Sequence, residues 1–396
     1  MRKNLGWAVT AAASLLAVAT QPVFAQTGRT GVIKIGINES LSGSFVAAGQ
    51  PPAAAAKMAA KEINDRGGIV VGGVTYKFEV IEVDNQSQTA SAVAGMTRLV
   101  DDEKIKFVFG PTVSTFATQT SALTVPAKVM QFSAATSWQA SGYLSDASKP
   151  LLFGVQLPAS RVTEIDASAF KLLGATKVTY LSQDDDVTKA TWPSFHVPMK
   201  AANIGVSLTV FPVGTNDYSS YVSRAKGEGV EGIYLGWPQS LVREVLRTVV
   251  DLNAGPKAFG GRALDPNAAL KTAIGKPVPV PFFSTGLTPS FDYPPNAKVK
   301  AFTERIKAFA PNLPNALING VFYTYDVFYM LAEAMKQAGT VEDTAKLAAL
   351  MGNMTYDGVA GKVCFGKEIR TVMYDGGLLL IKDGKVESRS IPSTCK

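Results

Sequence analysis

The sequence predicts an α/β fold of parallel sheets wrapped by helices, divided over about two domains, and three observations predict it. Apolar, β-rich runs at 78–83, 107–110, 129–133, 178–181, 206–211 and 233–236 alternate with helix-periodic segments at 90–101, 115–127, 159–173, 218–228 and 241–252. Alternation of this kind implies a parallel sheet, because a parallel neighbour needs a crossover long enough to hold a helix. The chain has 396 residues, more than one ordinary hydrophobic core organises. No solenoid repeat or low-complexity tract interrupts the pattern.

The chain opens with Arg2 and Lys3, an apolar run over 5–19 and the small-residue site Val23-Phe24-Ala25, the parts of a secretory signal. That run is too short for a membrane span, and no later stretch approaches the ~20 apolar residues a span requires. Cleavage after Ala25 would leave an exported, soluble chain starting at Gln26, its formal charge lowered from +7 by the loss of Arg2 and Lys3. The remaining charge is spread along the chain and no basic cluster is interleaved with aromatics, so nucleic acid is not an expected partner. An oxidising compartment permits a disulfide between the two cysteines, Cys364 and Cys395; two separate thiols are the alternative.

Residues 32–69 read as strand, small-residue turn, helix and stop. Val32, Ile33, Ile35 and Ile37 suit a buried strand, while Ser40, Ser42, Gly43 and Ser44 put hydroxyls and N–H groups at a junction able to hold an anion. Helical spacing then runs through Ala56, Ala59, Ala60 and Ile63 to a stop at Gly67-Gly68. A second junction, from Gly110 to Thr115, places Ser114 where an N-cap belongs. A third, Ala134-Ala135-Thr136-Ser137, follows the strand at 129–133. Ligands of open α/β sheets bind outside the carboxyl ends of strands, so three such junctions would converge on one crevice; plain capping is the alternative for each.

Asp184-Asp185-Asp186 follows a strand and would hold an ammonium group or a calcium ion, or form a solvated loop. Trp237 follows the strand at 233–236, where its ring would cover a ligand or pack between helices. Residues 255–295 carry eight prolines and break the alternation; helices over 297–351 follow, then a β-rich tail over 363–391 with a hairpin turn at Asp383-Gly384. Enzyme chemistry finds little support: His196 is the only histidine, Ser223 to Lys226 matches S-x-x-K without its companion motifs, and no phosphate or dinucleotide fingerprint is present. No catalytic residue, cofactor or metal is therefore expected.

Together with the signal, the segments IKIGINESLSG, AAKEINDRGGI, VDNQSQ, IKFVFGPTVSTFA and FSAATS resemble the periplasmic leucine/isoleucine/valine-binding protein family, type I solute-binding proteins of ABC importers. The resemblance spans nearly all of residues 30–390. It implies two doubly wound lobes joined by three crossings, with 30–154 and 285–356 in one lobe and 155–284 and 357–396 in the other. The crossings would lie near 153–156, 282–285 and 356–360. It further implies that Ser114 and Thr136 hold a ligand carboxylate, with Thr112, Val113 and Ala134 offering backbone atoms. Ala48 and Val187 stand where amino-acid binders often carry aromatics, Trp237 stands where a ring meets the ligand, and Arg262 lies near the usual place of a carboxylate for the ligand ammonium. With Ser42, Thr115, Ala135 and Asp185, these complete the candidate binding set.

The function so implied is an exported, monomeric, non-enzymatic receptor that delivers a small carboxylate, most simply an amino acid of branched-chain type, to an ABC permease. Space at Ala48 and Val187, with Phe116, Trp237 and Arg262 nearby, would suit instead an aromatic or bulky carboxylate without an amine. From other classes, an exported hydrolase would depend on His196, and a sensory protein would present its closed form to a receptor.

Overall fold

The computed structural model describes residues 29–395 apart from 136–137, 140, 237, 265, 273–274, 276, 287–292 and 314–318. The expected signal at 1–25 lies outside the described residues, as do Thr136 and Trp237 of the candidate set. The first sheet contains β1 (Arg29–Glu39), β2 (Ile69–Val71), β3 (Val74–Asp84), β4 (Phe107–Phe109), β5 (Met130–Ser133) and β6 (Leu152–Gly154), in the order β2-β3-β1-β4-β5-β6. All its pairings are parallel except β2 with β3. Helices α1 (Val46–Asp65), α2 (Thr89–Thr97) and α3 (Ser114–Thr124) form the crossovers. Ile33, Ile35 and Ile37 of β1 are buried, as their alternation demands.

The second sheet contains β7 (Lys177–Gln183), β8 (Gly205–Phe211), β9 (Gly232–Leu235), β10 (Ala258–Arg262), β11 (Phe282–Gly286), β15 (Gly376–Lys382) and β16 (Lys385–Ile391), in the order β16-β15-β11-β10-β9-β7-β8. Its helices are α4 (Ala159–Leu172), α5 (Asp186–Ala201), α6 (Ser219–Gly227) and α7 (Val242–Asp251). After β11 the chain returns through α8 (Ala297–Phe309) to α9 (Asn319–Ala338), which packs on α1, and α10 (Thr344–Met351). It then passes through a small antiparallel sheet, β12 (Thr355–Gly358), β13 (Gly361–Phe365) and β14 (Val372–Met373), before the β15–β16 hairpin. Asp383 and Gly384 turn that hairpin with φ of 51° and 72°, the double positive φ of a type I′ turn. Cys364 and Cys395 are joined by a disulfide, with Cα atoms 5.7 Å apart.

Two elements depart from the sequence expectation. The proline-rich stretch does not break the sheet: β10 and β11 run through it, with Phe259, Phe282 and Phe283 buried. The prolines flanking these strands, Pro256, Pro266 and Pro281, stand outside the ladder, and the Pro281 carbonyl accepts from the N–H of Phe259 at 2.9 Å. Likewise the acid run at 184–186 is not a loop alone but opens α5, with Phe195 and Met199 buried on its inner face. A row of aromatic rings underlies the first sheet: Phe328 meets Phe109 at 5.5 Å, Phe109 stacks on Phe132 at 4.8 Å, and Phe153 packs edge-on to Phe365 at 4.8 Å. These rings fix β4, β5 and β6 from below.

Candidate functional site

In the first sheet β3 lies on one side of β1 and β4 on the other, so successive crossovers diverge and leave a crevice at the carboxyl ends of β1 and β4. Two of the three predicted junctions meet there. The N–H of Gly110 donates to the carbonyl of Phe132 at 2.7 Å, and Ser133 Oγ donates to the carbonyl of Pro111 at 2.6 Å. The same Oγ accepts the N–H of Ala135 at 3.0 Å, while Gln131 Nε2 donates to the carbonyl of Gly110 at 3.0 Å. Thr112 to Thr115 and Ala134 with Ala135 therefore belong to one braced wall, with Thr115 exposed, Ala134 half-buried and Ala135 buried.

Glu39, the last residue of β1, lies behind this wall and was not anticipated from the sequence. It is 2% exposed; one carboxyl oxygen accepts from the Thr112 N–H at 3.0 Å, and the other lies at hydrogen-bond distance, 2.8 Å, from Thr112 Oγ1. Burial pushes it up to about 8, against the opposing pull of the Thr112 bonds. The signal for it was a carboxylate at the next alternate position after Ile33, Ile35 and Ile37, on the face of β1 that the isoleucines bury. Beneath it is a small cavity, with about 10 Å³ of room for a water's centre, lined by Glu39, Thr112, Phe132, Ala134 and Thr324. The Thr324 hydroxyl is buried there with no partner among the described residues.

The first junction is closed from within. Asp84 Oδ1 accepts from the N–H groups of Leu41 at 3.0 Å and Ser42 at 3.2 Å, and Asp84 Oδ2 accepts from Ser42 Oγ at 2.6 Å. The cause is register: β3 runs parallel to β1 and ends level with it, Asp84 opposite Glu39, so a resident carboxylate fills the place expected for a foreign anion. Partial burial raises the Asp84 carboxyl, but these bonds outweigh it and hold it below the usual range. Ala48 is half-buried in α1, and Phe45 at the rim is 43% exposed with its ring edge-on to buried Phe116 at 5.9 Å.

Ser114 is not the N-cap of α3. Val113, extended at φ −70° and ψ 123°, holds that position without a side-chain cap bond, and Ser114 and Thr115 are the first two helical residues. The nearest preceding hydroxyl, Thr112, is bonded to Glu39 instead. By contrast Asp185 is a true cap, accepting the N–H of Thr188 at 2.9 Å, a bond that holds its carboxyl low. Asp185 thus closes the end of α5, beside which Val187 is 44% exposed.

Arg262 is half-buried at the carboxyl end of β10. Its positive charge acts on Asp166 of α4 and on Tyr180 and Tyr234 of the second sheet, and also on Tyr323 of α9, the helix packed on α1. Asp166 accepts from Tyr234 Oη at 3.0 Å and from Thr285 Oγ1; burial raises it to about 6, with Thr285 and Arg262 opposing. The Tyr323 hydroxyl is buried with no partner among the described residues, and burial holds it well above the usual tyrosine range. His196 is half-buried with its ring 5.2 Å from Trp192, a packed position. Among the described residues no group of three or more His, Cys, Asp or Glu is placed to hold a metal. A larger cavity of about 430 Å³ lies elsewhere, near Glu62, Arg66, Arg305 and Tyr329, where Arg305 pairs with Glu62 at 3.1 Å.

A family model described as periplasmic binding protein matches residues 32–385. The chain belongs to the periplasmic binding protein family. Three solved structures agree in fold. An ABC transporter substrate-binding protein from Sphaerobacter thermophilus is 20% identical over 91% of this chain and 98% of its own, with TM-score 0.71. The branched-chain amino acid binding protein LivJ from Streptococcus pneumoniae, in complex with isoleucine, is 22% identical over 91% of this chain and 100% of its own, with TM-score 0.64. A solute-binding protein from Rhodopseudomonas palustris in complex with 4-hydroxybenzoate is 20% identical over 92% and 97%, with TM-score 0.65. The fold of this periplasmic binding protein is thus type I, two α/β lobes, and its class is that of solute receptors rather than enzymes.

Proposed function

We propose that this periplasmic binding protein is an exported receptor of an ABC importer, which closes its two lobes on a small carboxylate and presents the closed form to a permease. The lobes are taken as 30–154 with 285–356, and 155–284 with 357–396. The observation that carries the reading is the wall formed by Gly110 to Thr115 and Ala134 with Ala135, braced at the sheet's switch point, where α3 starts from the apolar Val113. The N–H groups of a first helical turn suit a carboxylate, and burying its charge requires such charge-assisted bonds. Contacts from both lobes favour the closed state by their differential affinity. An amino acid of branched-chain type is the first ligand to test.

A second reading, an aromatic carboxylate without an amine, is favoured by two observations. Asp185 and Asp166 already accept hydrogen bonds from this chain, which leaves them poorly placed for a ligand ammonium. Phe45 and Phe116 also set an aromatic edge at the rim beside small Ala48, with Arg262 in the opposite lobe.

Calorimetry against branched-chain amino acids, benzoates, dicarboxylates and neutral sugars tests both. Ser114→Ala combined with Thr136→Ala is expected to weaken carboxylate binding by roughly 2–4 kcal/mol, the worth of two bonds to a charged group. Unchanged affinity removes those two residues from the site, and a response confined to sugars overturns the carboxylate reading.

A further inference from the structure

We propose that Glu39 carries a proton which it donates to Thr112 Oγ1, turning the Thr112 hydroxyl hydrogen toward the cleft, so that carboxylate binding is linked to the protonation of a residue behind the wall. The ligand half of this proposal rests on the carboxylate reading above. A carboxyl oxygen and a hydroxyl oxygen 2.8 Å apart share a single hydrogen, and the protonation state decides which of them gives it. If Glu39 is ionised, Thr112 must donate inward and shows the cleft only lone pairs, which repel a ligand carboxylate. With Glu39 neutral, the acid donates, and Thr112 keeps its own hydrogen for the ligand. The second carboxyl oxygen accepts the Thr112 N–H at 3.0 Å in either state, so the loop itself stays in place.

The surroundings of Glu39 favour the neutral acid. The small cavity that Glu39 lines is bounded from α1 by Pro52 and Ala53, from α9 by Thr324, from the loop after β4 by Gly110 and Thr112, and from β5, β6 and the residues just after them by Phe132, Ala134 and Val155. None of these carries a charge. The carboxylate level with it on β3, Asp84, is bonded to Leu41 and Ser42. Among the described residues no cation acts on Glu39; a buried carboxylate so placed is costly, and burial accordingly moves Glu39 up to about 8. A ligand that prefers the protonated form raises that value further and takes up a proton where free Glu39 is ionised. Positioning of this kind is distinct from a mere structural bond, because it makes affinity depend on pH.

The test is calorimetry of the full chain with two probes, L-leucine and benzoate, from about pH 6 to about pH 10. The wild type should bind with constant affinity at neutral pH and lose about tenfold per pH unit once Glu39 ionises. Glu39→Gln should bind with a flat profile, because its amide donates permanently to Thr112 Oγ1 while its carbonyl accepts the Thr112 N–H. Thr112→Val, which keeps the shape and the N–H bond, should bind weakly at every pH. A flat wild-type profile, or a Gln variant that keeps the alkaline loss, overturns the link.

A second measurement needs no ligand. The infrared difference between wild type and Glu39→Gln should show the carbonyl band of a protonated carboxyl at neutral pH, and its loss at alkaline pH. Absence of that band at neutral pH overturns the proposal outright. If the band is present and neither acid binds the wild type at any pH, the carboxylate reading of the cleft falls and the ligand half falls with it, while the proton on Glu39 stands.

Discussion

The backbone N–H of Val359 donates to Asp326 Oδ2 over 2.8 Å, and the Tyr374 hydroxyl donates to the same oxygen. Asp326 belongs to α9, Val359 to the turn between β12 and β13, and Tyr374 follows β14. One buried carboxyl therefore ties a helix packed on the first sheet to the chain passing toward the second. Asp326→Ala leaves both donors without an acceptor in a dry site, at roughly 1–3 kcal/mol each. The expected loss is about 2–5 kcal/mol in urea unfolding, with a smaller loss for Asp326→Asn, which keeps one acceptor oxygen. Equal losses in the two variants would assign the effect to packing rather than to the bonds.

Three buried carboxyls make stability fall as pH rises. Burial raises Asp166 to about 6, Asp326 to about 7 and Glu39 to about 8. Each folded value lies above that of the unfolded chain, so the native state holds the extra protons between the two. Their contribution is complete below about pH 4 and is lost as pH rises through the folded values. Carboxyls held low by partners, such as Asp84, act in the opposite sense only in acid. Melting temperature should decline from about pH 5 to about pH 9, and Asp326→Asn should flatten part of that decline. A melting temperature that climbs over this range would show these groups ionised in the native state.

The alternation of apolar strands and amphipathic helices was legible because both sheets are mostly parallel, and each βα unit writes its own periodicity into consecutive residues. The Asp383-Gly384 turn was legible for a similar reason, since a two-residue hairpin needs positive φ at both positions. What escaped was non-local. Nothing near Ser42 in sequence announces that Asp84, level with Glu39 on the next strand, will occupy its N–H group. Nor does the local pattern around Ser114 reveal that Glu39 draws Thr112 inward and leaves the cap to Val113. The prolines at 255–295 misled because a proline just outside a strand and one inside it look alike without the pairing.

The disulfide closes the tail onto the small sheet. Cys364 lies in β13, and Cys395 follows the last strand at a sequence separation of 31. By the loop-entropy estimate a cross-link of that span restricts the unfolded chain by roughly 3–4 kcal/mol. Replacing both cysteines by serine should lower stability by about that amount in denaturant titrations of the oxidised protein, and added reductant should bring the wild type to the same midpoint. A wild type indifferent to reductant would mean that the tail is held by the β15–β16 pairing and by bonds such as that of the Ser393 N–H to Asp375 rather than by the cross-link.

Gly110 separates the effect of strained backbone from the effect of crowding at the wall. Its φ is +95°, and a Cβ there would collide with the Asn38 carbonyl and come within 2.6 Å of Glu39 Oε1. Gly214 has φ +81° with nothing within 4 Å of the Cβ position. Gly214→Ala should therefore carry only the left-handed strain, about 1–2 kcal/mol, and leave binding unchanged. Gly110→Ala carries the same strain and also drives the loop away from Glu39, because neither the Asn38 carbonyl nor the buried carboxyl has room to move. The larger loss of stability, together with a loss of affinity for whichever carboxylate the wild type binds, is the expected pair of results. Equal stability losses with intact binding in both would show that the Gly110 loop does not form the wall of the site.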